Sequence, residues 1–347
     1  MGRAFGETCR DAIHAFADLR VANAIRQTLH YGKRDVDRSQ VIEAGLRCQA
    51  PTERFDPVGF AELRGIAEGA NLALAEVIAM NGLTDIRDIL SWPGGPEDAE
   101  GCSAFVAQGD ITAAGTVICG QTWDLATDNL PYVIGVHRQP TEGPETWCLT
   151  TVGCLSLIGM NSHGLAIGTT NIRTRDARPG VTYLSLIHRA LREEKAADAA
   201  RIITDAQRAG AHFYFVADAQ GDAHALECSA TTVAATQVNT GAYGHTNHCL
   251  VTENVAQEAV APSPSSLARQ ARLHSLFETH AGAIDATTAK SFFANEEDGP
   301  NSVCRDDLDG INTNGAVIML PATGQILACH GVPTRATWLD LKTGDTA

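Results

Sequence analysis

Hydrophobic positions recur at helical spacing through the first hundred residues. Ile13, Phe16, Ala17, Leu19, Val21 and Ile25 fall on one face of a 3.6-residue repeat, as do Phe60, Leu63, Ile66 and Ala67. A third helix is predicted over about 72–80, and residues 86–90 continue the pattern beyond Gly82. The periodicity stops at Pro93-Gly94-Gly95-Pro96-Glu97-Asp98-Ala99-Glu100-Gly101, whose prolines, glycines and acidic residues predict an exposed loop. From there on the chain reads as short apolar β-runs punctuated by turn residues. Strands are predicted over 103–108, 115–120, 132–138, 146–152, 155–160 and 165–169, then helices over 184–194 and 196–209. Strands resume over 212–217, 223–227 and 232–238, followed by helices over 265–279 and 286–295. A final hairpin, 315–320 and 325–330, turns through Pro321-Ala322-Thr323-Gly324. Groups of strands separated by helical pairs predict an α+β fold with antiparallel sheets rather than strict βαβ alternation.

Composition narrows the function classes. The 347 residues carry a net charge of −15, which argues against nucleic acid as a partner, because phosphate binding needs a basic surface. No apolar run is long enough for a membrane-spanning helix, and the first residues lack the apolar core of a signal peptide. A cytoplasmic protein is therefore expected. The 10 cysteines include no C-x-x-C pair, so zinc ribbons and thioredoxin-like motifs lack support, and most are expected as reduced thiols. No G-x-G-x-x-G, G-x-x-x-x-G-K-[ST] or G-x-S-x-G motif occurs, and Ser156 and Ser185 therefore lack a nucleophile elbow. His245 and His248 stand at a spacing that suits one metal, but no third ligand has a suggestive position. No metal and no organic cofactor is expected.

The junction Gly101-Cys102 carries more specific chemistry. A cut before Cys102 places a thiol and an α-amine on one residue. The amine titrates near working pH and serves as the base that the thiol needs. The same thiol can make the cut by attacking the Gly101 carbonyl, after which water resolves the thioester. Glycine at 101 tolerates unusual backbone angles and leaves room for that attack. The dipeptide alone does not separate this chemistry from an ordinary cysteine opening a buried strand.

The motifs further along carry a resemblance. Gly101-Cys102-Ser103, followed by Gly120-Gln121-Thr122-Trp123-Asp124, resembles the penicillin acyltransferase (isopenicillin-N acyltransferase) family of N-terminal-nucleophile hydrolases. That family carries a Gly-Cys-Thr junction and then Gly-Gln-Asn-Trp-Asp. Met80-Asn81, Asn161-Ser162-His163-Gly164-Leu165-Ala166, His245-Thr246-Asn247-His248, Ser266-Leu267-Ala268-Arg269, Ser302-Val303-Cys304-Arg305 and Gly331-Val332-Pro333 follow in matching order. The resemblance spans roughly 60–335. It implies a four-layer αββα sandwich and self-cleavage at Gly101-Cys102 into a helical pro-segment, 1–101, and a catalytic chain, 102–347. The two chains are expected to stay associated, and self-association of the whole is left open.

By the same resemblance Cys102 is the nucleophile, Asn247 stabilises the oxyanion through its amide N–H2, and Asp124 orients or stabilises the new α-ammonium. Thr122, Trp123, His163 and His245 are the candidates to line the substrate pocket. Thr122 departs from the family's asparagine, and Asp306 departs from a histidine often found after Cys304-Arg305. Arg269 is expected in a structural ion pair. The implied activity is cleavage of the amide bond of a small N-acyl compound through an S-acyl enzyme, with acyl transfer to an amine as the alternative outcome. A non-catalytic binding protein on the same fold is the rival reading, and rapid, selective alkylation of Cys102 by iodoacetamide separates the two.

Overall fold

The computed structural model describes residues 1–91, 100–306 and 310–347, so the predicted loop lies outside them up to residue 99. Six helices open the chain: α1 (Gly2–Thr8), α2 (Arg10–Gly32), α3 (Arg38–Phe55), α4 (Pro57–Ala70), α5 (Leu74–Gly82) and α6 (Thr84–Leu90). The sequence pattern did not delimit α3, whose composition is polar and which contains Pro51. A capping box formed by Asp37 and Gln40 starts it instead. Helix α4 starts where Asp56 caps the Gly59 N–H with Pro57 at the first helical position. Glycines let α1 lie on α4 with backbones touching. A Cβ on Gly6 would sit 2.5 Å from the Ile66 carbonyl oxygen, and one on Gly69 only 2.2 Å from that of Arg3.

Two antiparallel sheets follow. The first contains β1 (Gly101–Gln108), β2 (Ile118–Ala126), β10 (Gly241–His245), β11 (Ile311–Leu320), β12 (Gln325–His330) and β13 (Trp338–Asp340), in the order β10-β1-β2-β11-β12-β13. The second runs in chain order: β3 (Val133–Arg138), β4 (Thr146–Thr151), β5 (Ile158–Asn161), β6 (Ala166–Ile172), β7 (Ala211–Ala217), β8 (Ala223–Cys228) and β9 (Val233–Gln237). The sheets pack face to face through β1, β2 and β11 against β5, β6 and β7. Helices α10 (Pro264–Thr279) and α11 (Ala286–Phe293) cover the outside of the first sheet, and α8 (Ala196–Thr204) covers the second beside α7 (Tyr183–Ala190). The four layers are thus αββα, as expected. Two apolar cores result: one between the sheets and under α2 to α7, the other between the first sheet and α10 and α11, where Phe105, Phe277, Phe292 and Phe293 meet. Among the described residues no helix is long and apolar enough to cross a membrane.

The second predicted strand, 115–120, starts three residues late and runs on to Ala126. Gly115, with φ +70°, belongs to the preceding turn, and Gln121-Thr122-Trp123-Asp124 is strand. Strand β10 was not predicted at all.

Candidate active site

Alternation along β1 decides where the candidate nucleophile points. Cys102, Ala104 and Val106 join the core between the sheets, whereas Phe105 and Ala107 face the helices. On β2, Trp123 and Leu125 share the inter-sheet face, while Asp124 and Thr122 point toward α10. In register, Cys102 stands opposite Trp123 and Gly101 opposite Asp124. The predicted junction therefore lies inside a strand: Gly101 and Cys102 are both in β1.

A buried polar clamp grips Cys102 from the helix side. Its backbone N–H donates to Asn247 Oδ1 at 2.7 Å, and the Asn247 Nδ2 donates to the Asn171 carbonyl at 2.9 Å. The Asn247 amide thus presents its oxygen to the cysteine, and its second N–H has no partner among the described residues. Its own backbone N–H is tied to Ser266 Oγ at 2.8 Å. Ser266 is in the first turn of α10, which starts with Ser263 as N-cap and Pro264 behind it. One turn further on, the fully buried Arg269 donates to the Cys102 carbonyl, to Ser103 Oγ at 3.1 Å and to Asn247 Oδ1 at 2.9 Å. Arg269, expected in a structural ion pair, also joins Cys102 to Asn247.

Arg269 also explains the glycine. Gly101 is not among the residues with positive φ, so backbone freedom is not its reason. A Cβ there would stand 2.8 Å from the Arg269 Nη2 and 3.3 Å from Asp124 Oδ2. Asp124 is completely buried and accepts at Oδ1 from the Thr313 hydroxyl at 2.7 Å. Burial raises its carboxyl above the ordinary range, against the pull of the Arg269 and Arg305 charges. The Cys102 thiol is pushed up to about 12, first by burial and then by the charge of Asp124, with Arg269 opposing. In the continuous chain the sulfur is a protonated thiol with no base of its own.

On the inter-sheet side the thiol faces a cavity. Trp123, Leu125 and Leu157 form its apolar wall, and Gln121, Asn171, His212 and Asn247 supply polar groups. Arg20, Leu83 and Thr84, from helices of the N-terminal segment, close it. Gln121 Nε2, Asn171 Oδ1 and Thr84 Oγ1 are buried there without hydrogen-bond partners among the described residues.

Of the four candidate pocket residues, only Trp123 lines this cavity. Thr122 faces the helices, and its hydroxyl accepts from the Ser103 N–H at 3.1 Å. His163 is exposed in the β5–β6 turn, its imidazole 3.9 Å from Glu194. His245 is fully buried, stacked on Phe213 with centroids 4.2 Å apart and bonded to Glu227 Oε2 at 3.1 Å. His248 turns to Ser266 Oγ instead, at 2.8 Å, so the two histidines do not converge. Among the described residues no group of three or more His, Cys, Asp or Glu side chains is placed to hold a metal ion. Asp306 pairs with Arg335 away from the cavity. Ser156, His188 and Glu62 line up as hydroxyl, imidazole and carboxylate (3.0 and 3.7 Å), but Ser156 is completely buried.

The model of the family described as acyl-coenzyme A:6-aminopenicillanic acid acyl-transferase matches residues 112–324. The 40 kDa form of acyl-coenzyme A:6-aminopenicillanic-acid-acyltransferase from Emericella nidulans is 26% identical over 257 residues, covering 73% of this chain and 69% of that one. Among solved structures, a conjugated bile acid hydrolase variant from Clostridium perfringens superposes with a TM-score of 0.48 at 11% identity, covering 71% of this chain and 95% of that one. A Caenorhabditis elegans ortholog of N-acylethanolamine-hydrolyzing acid amidase superposes with a TM-score of 0.44 at 15% identity, covering 64% and 93%.

Proposed function

The chain belongs to the acyl-coenzyme A:6-aminopenicillanic acid acyl-transferase family, and on that premise we propose that it cuts itself between Gly101 and Cys102 and then works as a cysteine amidohydrolase or acyltransferase. The observation that carries this reading is the clamp on Cys102: its N–H sits on Asn247 Oδ1 while its thiol faces the cavity.

In maturation the Cys102 sulfur adds to the Gly101 carbonyl carbon. The C–N bond breaks as the nitrogen takes the proton that the thiol gives up, leaving a thioester, and water then releases the Gly101 carboxylate and the free thiol. The nitrogen that becomes the α-amine is already held by Asn247 Oδ1, so the amine appears where the clamp can keep it. A thiol held near 12 by burial is a slow nucleophile at neutral pH, sufficient for a single self-cleavage, and the new amine supplies the base that repeated turnover needs. Asp124, across the strand pair from Gly101, balances the ammonium form of that amine. In turnover the thiol gives its proton to the amine and attacks the substrate carbonyl. The second N–H of Asn247 and a backbone N–H steady the oxyanion, and the amine hands its proton to the leaving group. Water on the S-acyl enzyme completes hydrolysis, the outcome we favour, and an amine completes transfer.

The intact mass of freshly purified protein under denaturing conditions tests this. Two species of about 11 and 26 kDa are expected, shares of 36.7 kDa in proportion to 101 and 246 residues, the larger beginning at Cys102. Cys102→Ala should remain one species. A wild type that stays at full length through days of incubation overturns the reading. For turnover, N-acylated 6-aminopenicillanic acid probes hydrolysis, and an acyl-coenzyme A with 6-aminopenicillanic acid probes transfer.

A further inference from the structure

The cavity has a second chemical wall, and its key atom comes from a residue that no motif marks. His212, at the start of β7, lines the cavity and is 2% exposed. Its Nε2 lies 2.9 Å from Asp85 Oδ1, and the other oxygen of that carboxylate accepts the Tyr183 backbone N–H at 2.8 Å. The carboxylate oxygen meets the hydrogen on Nε2, and the Nε2–H tautomer keeps its lone pair on Nδ1. Nδ1 is buried with no hydrogen-bond partner among the described residues, an unusual state for a polar atom in a folded protein. The ring is held by Tyr183, stacked on it with centroids 4.4 Å apart, and by Tyr214 at 5.9 Å. Asp85 follows Leu83, whose φ of 41° and ψ of −107° are rare for a residue with a side chain. Such strain persists only where the surroundings enforce it.

We propose that His212 Nδ1 is a substrate contact, accepting a hydrogen bond from an N–H of the amide bound beside Cys102, and that Asp85 is the positioning residue that keeps this atom free of hydrogen. The inference rests on the reading of this cavity as the active site. It adds that the N-terminal segment, which supplies Asp85, is part of the substrate site and not only a cover removed by the cut.

The arrangement makes an atom-level forecast. In Asp85→Asn the amide oxygen stays on the Tyr183 N–H, and its NH2 turns to His212. The ring must then accept at Nε2 and carry its hydrogen on Nδ1, which turns the cavity atom from acceptor into donor. His212→Gln keeps a donor toward Asp85 and loses the cavity acceptor.

The full-length chain, allowed to mature, is compared with both variants in three ways: intact mass, 15N spectra of the histidine rings, and protection of Cys102 from iodoacetamide by phenylacetamide, a small amide with N–H donors. All three proteins are expected to mature and, without the amide, to alkylate at similar rates. The wild type should show His212 with hydrogen on Nε2, and Asp85→Asn with hydrogen on Nδ1. The phenylacetamide concentration that halves labelling should rise about tenfold in both variants, the affinity equivalent of one neutral hydrogen bond. A purely structural role would lower stability or maturation and leave that concentration unchanged. Unchanged protection in both variants, no protection of the wild type, or hydrogen on Nδ1 in the wild type overturns the proposal. If the wild type is neither cut nor labelled at Cys102, the nucleophile reading has failed instead. In that case movement of the His212 Nδ1 resonance on adding phenylacetamide decides the contact: movement supports it and none overturns it.

Discussion

Arg269→Met tests the clamp most directly, because it removes one charge and little volume. The guanidinium is completely buried, and it donates to the Cys102 carbonyl, Ser103 Oγ and Asn247 Oδ1. Its charge also opposes the burial of Asp124. Taking one partner from a buried charge pair costs about 3–5 kcal/mol, and the acceptors left without a charged donor place this case in the upper part of that range. Methionine refills most of the space, so the cavity contribution is small. About 4–5 kcal/mol is expected. With an unfolding entropy of roughly 0.7 kcal/mol/K for a chain of this length, Tm should fall by about 6 °C. The pH dependence gives a second reading. The Asp124 carboxyl is raised in the folded state, so the folded chain binds the extra proton, and stability falls as pH rises from the unfolded value near 3.9 to the folded one. Loss of Arg269 raises the folded value further, so the variant should be penalised more at pH 8 than at pH 5. Differential scanning calorimetry of Cys102→Ala with and without the substitution keeps cleavage out of the measurement. A fall in Tm of less than about 2 °C, equal at both pH values, would refute the clamp.

Gly101→Ala places a methyl 2.8 Å from the Arg269 Nη2, so the guanidinium must shift and the cut should slow markedly; an unchanged rate by timed intact mass removes the steric account of this glycine. Asn247→Ala loses both the hold on the Cys102 nitrogen and the oxyanion donor. It should cost roughly 3–4 kcal/mol in the acylation barrier, and a nearly unchanged rate constant for acylation would sink the assignment. His248 is held down to about 4, chiefly by burial, while the unfolded ring takes its proton near 6.5. The unfolded chain therefore binds more protons in that window, and this contribution to stability, at most about 3 kcal/mol, is lost as pH falls from 6.5 to 4. His248→Asn, whose amide can still reach Ser266 Oγ, should flatten that limb in urea titrations, and an unchanged slope would remove His248 as its source.

What could be read from the sequence was set by distance along the chain. Gly101-Cys102 and Trp123-Asp124 belong to one hairpin, so their neighbourhood follows from strand pairing alone. The layer order also followed, because apolar periodicity reports which faces are buried. Strand β10 escaped because two of its five residues are glycines; Gly244 is there to let Phe277 approach, at 3.0 Å from a would-be Cβ. Thr122 stands where the family carries an asparagine, between two residues that line the cavity, yet strand alternation turns it to the opposite face. His163 and His245 stand in motif runs whose geometry serves a turn and a core stack. Arg269 and Cys102 are 167 residues apart, and Asp85 and His212 are 127 apart. Asp85 reads locally as an ordinary acidic residue in the first turn of a helix. Only the folded chain makes either pair a pair.

The clamp and the cavity also assign different work to the two sides of β1. On the helix side, Arg269 and Asn247 hold the carbonyl and the N–H of Cys102, with the Asp124 carboxyl fully buried beside them. On the inter-sheet side, His212, Asn171 and Gln121 keep polar atoms without partners, and such atoms cost about 1–3 kcal/mol each while they stay so. Because the residues that carry these atoms line the cavity, a bound group can satisfy them. An amide carries one donor and one acceptor, and the cavity offers acceptors at Asn171 Oδ1 and His212 Nδ1 and a donor at Gln121 Nε2. On the proposed reading, Cys102 is held by its backbone and turns its thiol to the cavity, so the same sulfur serves first on its own peptide bond and then on a bound amide.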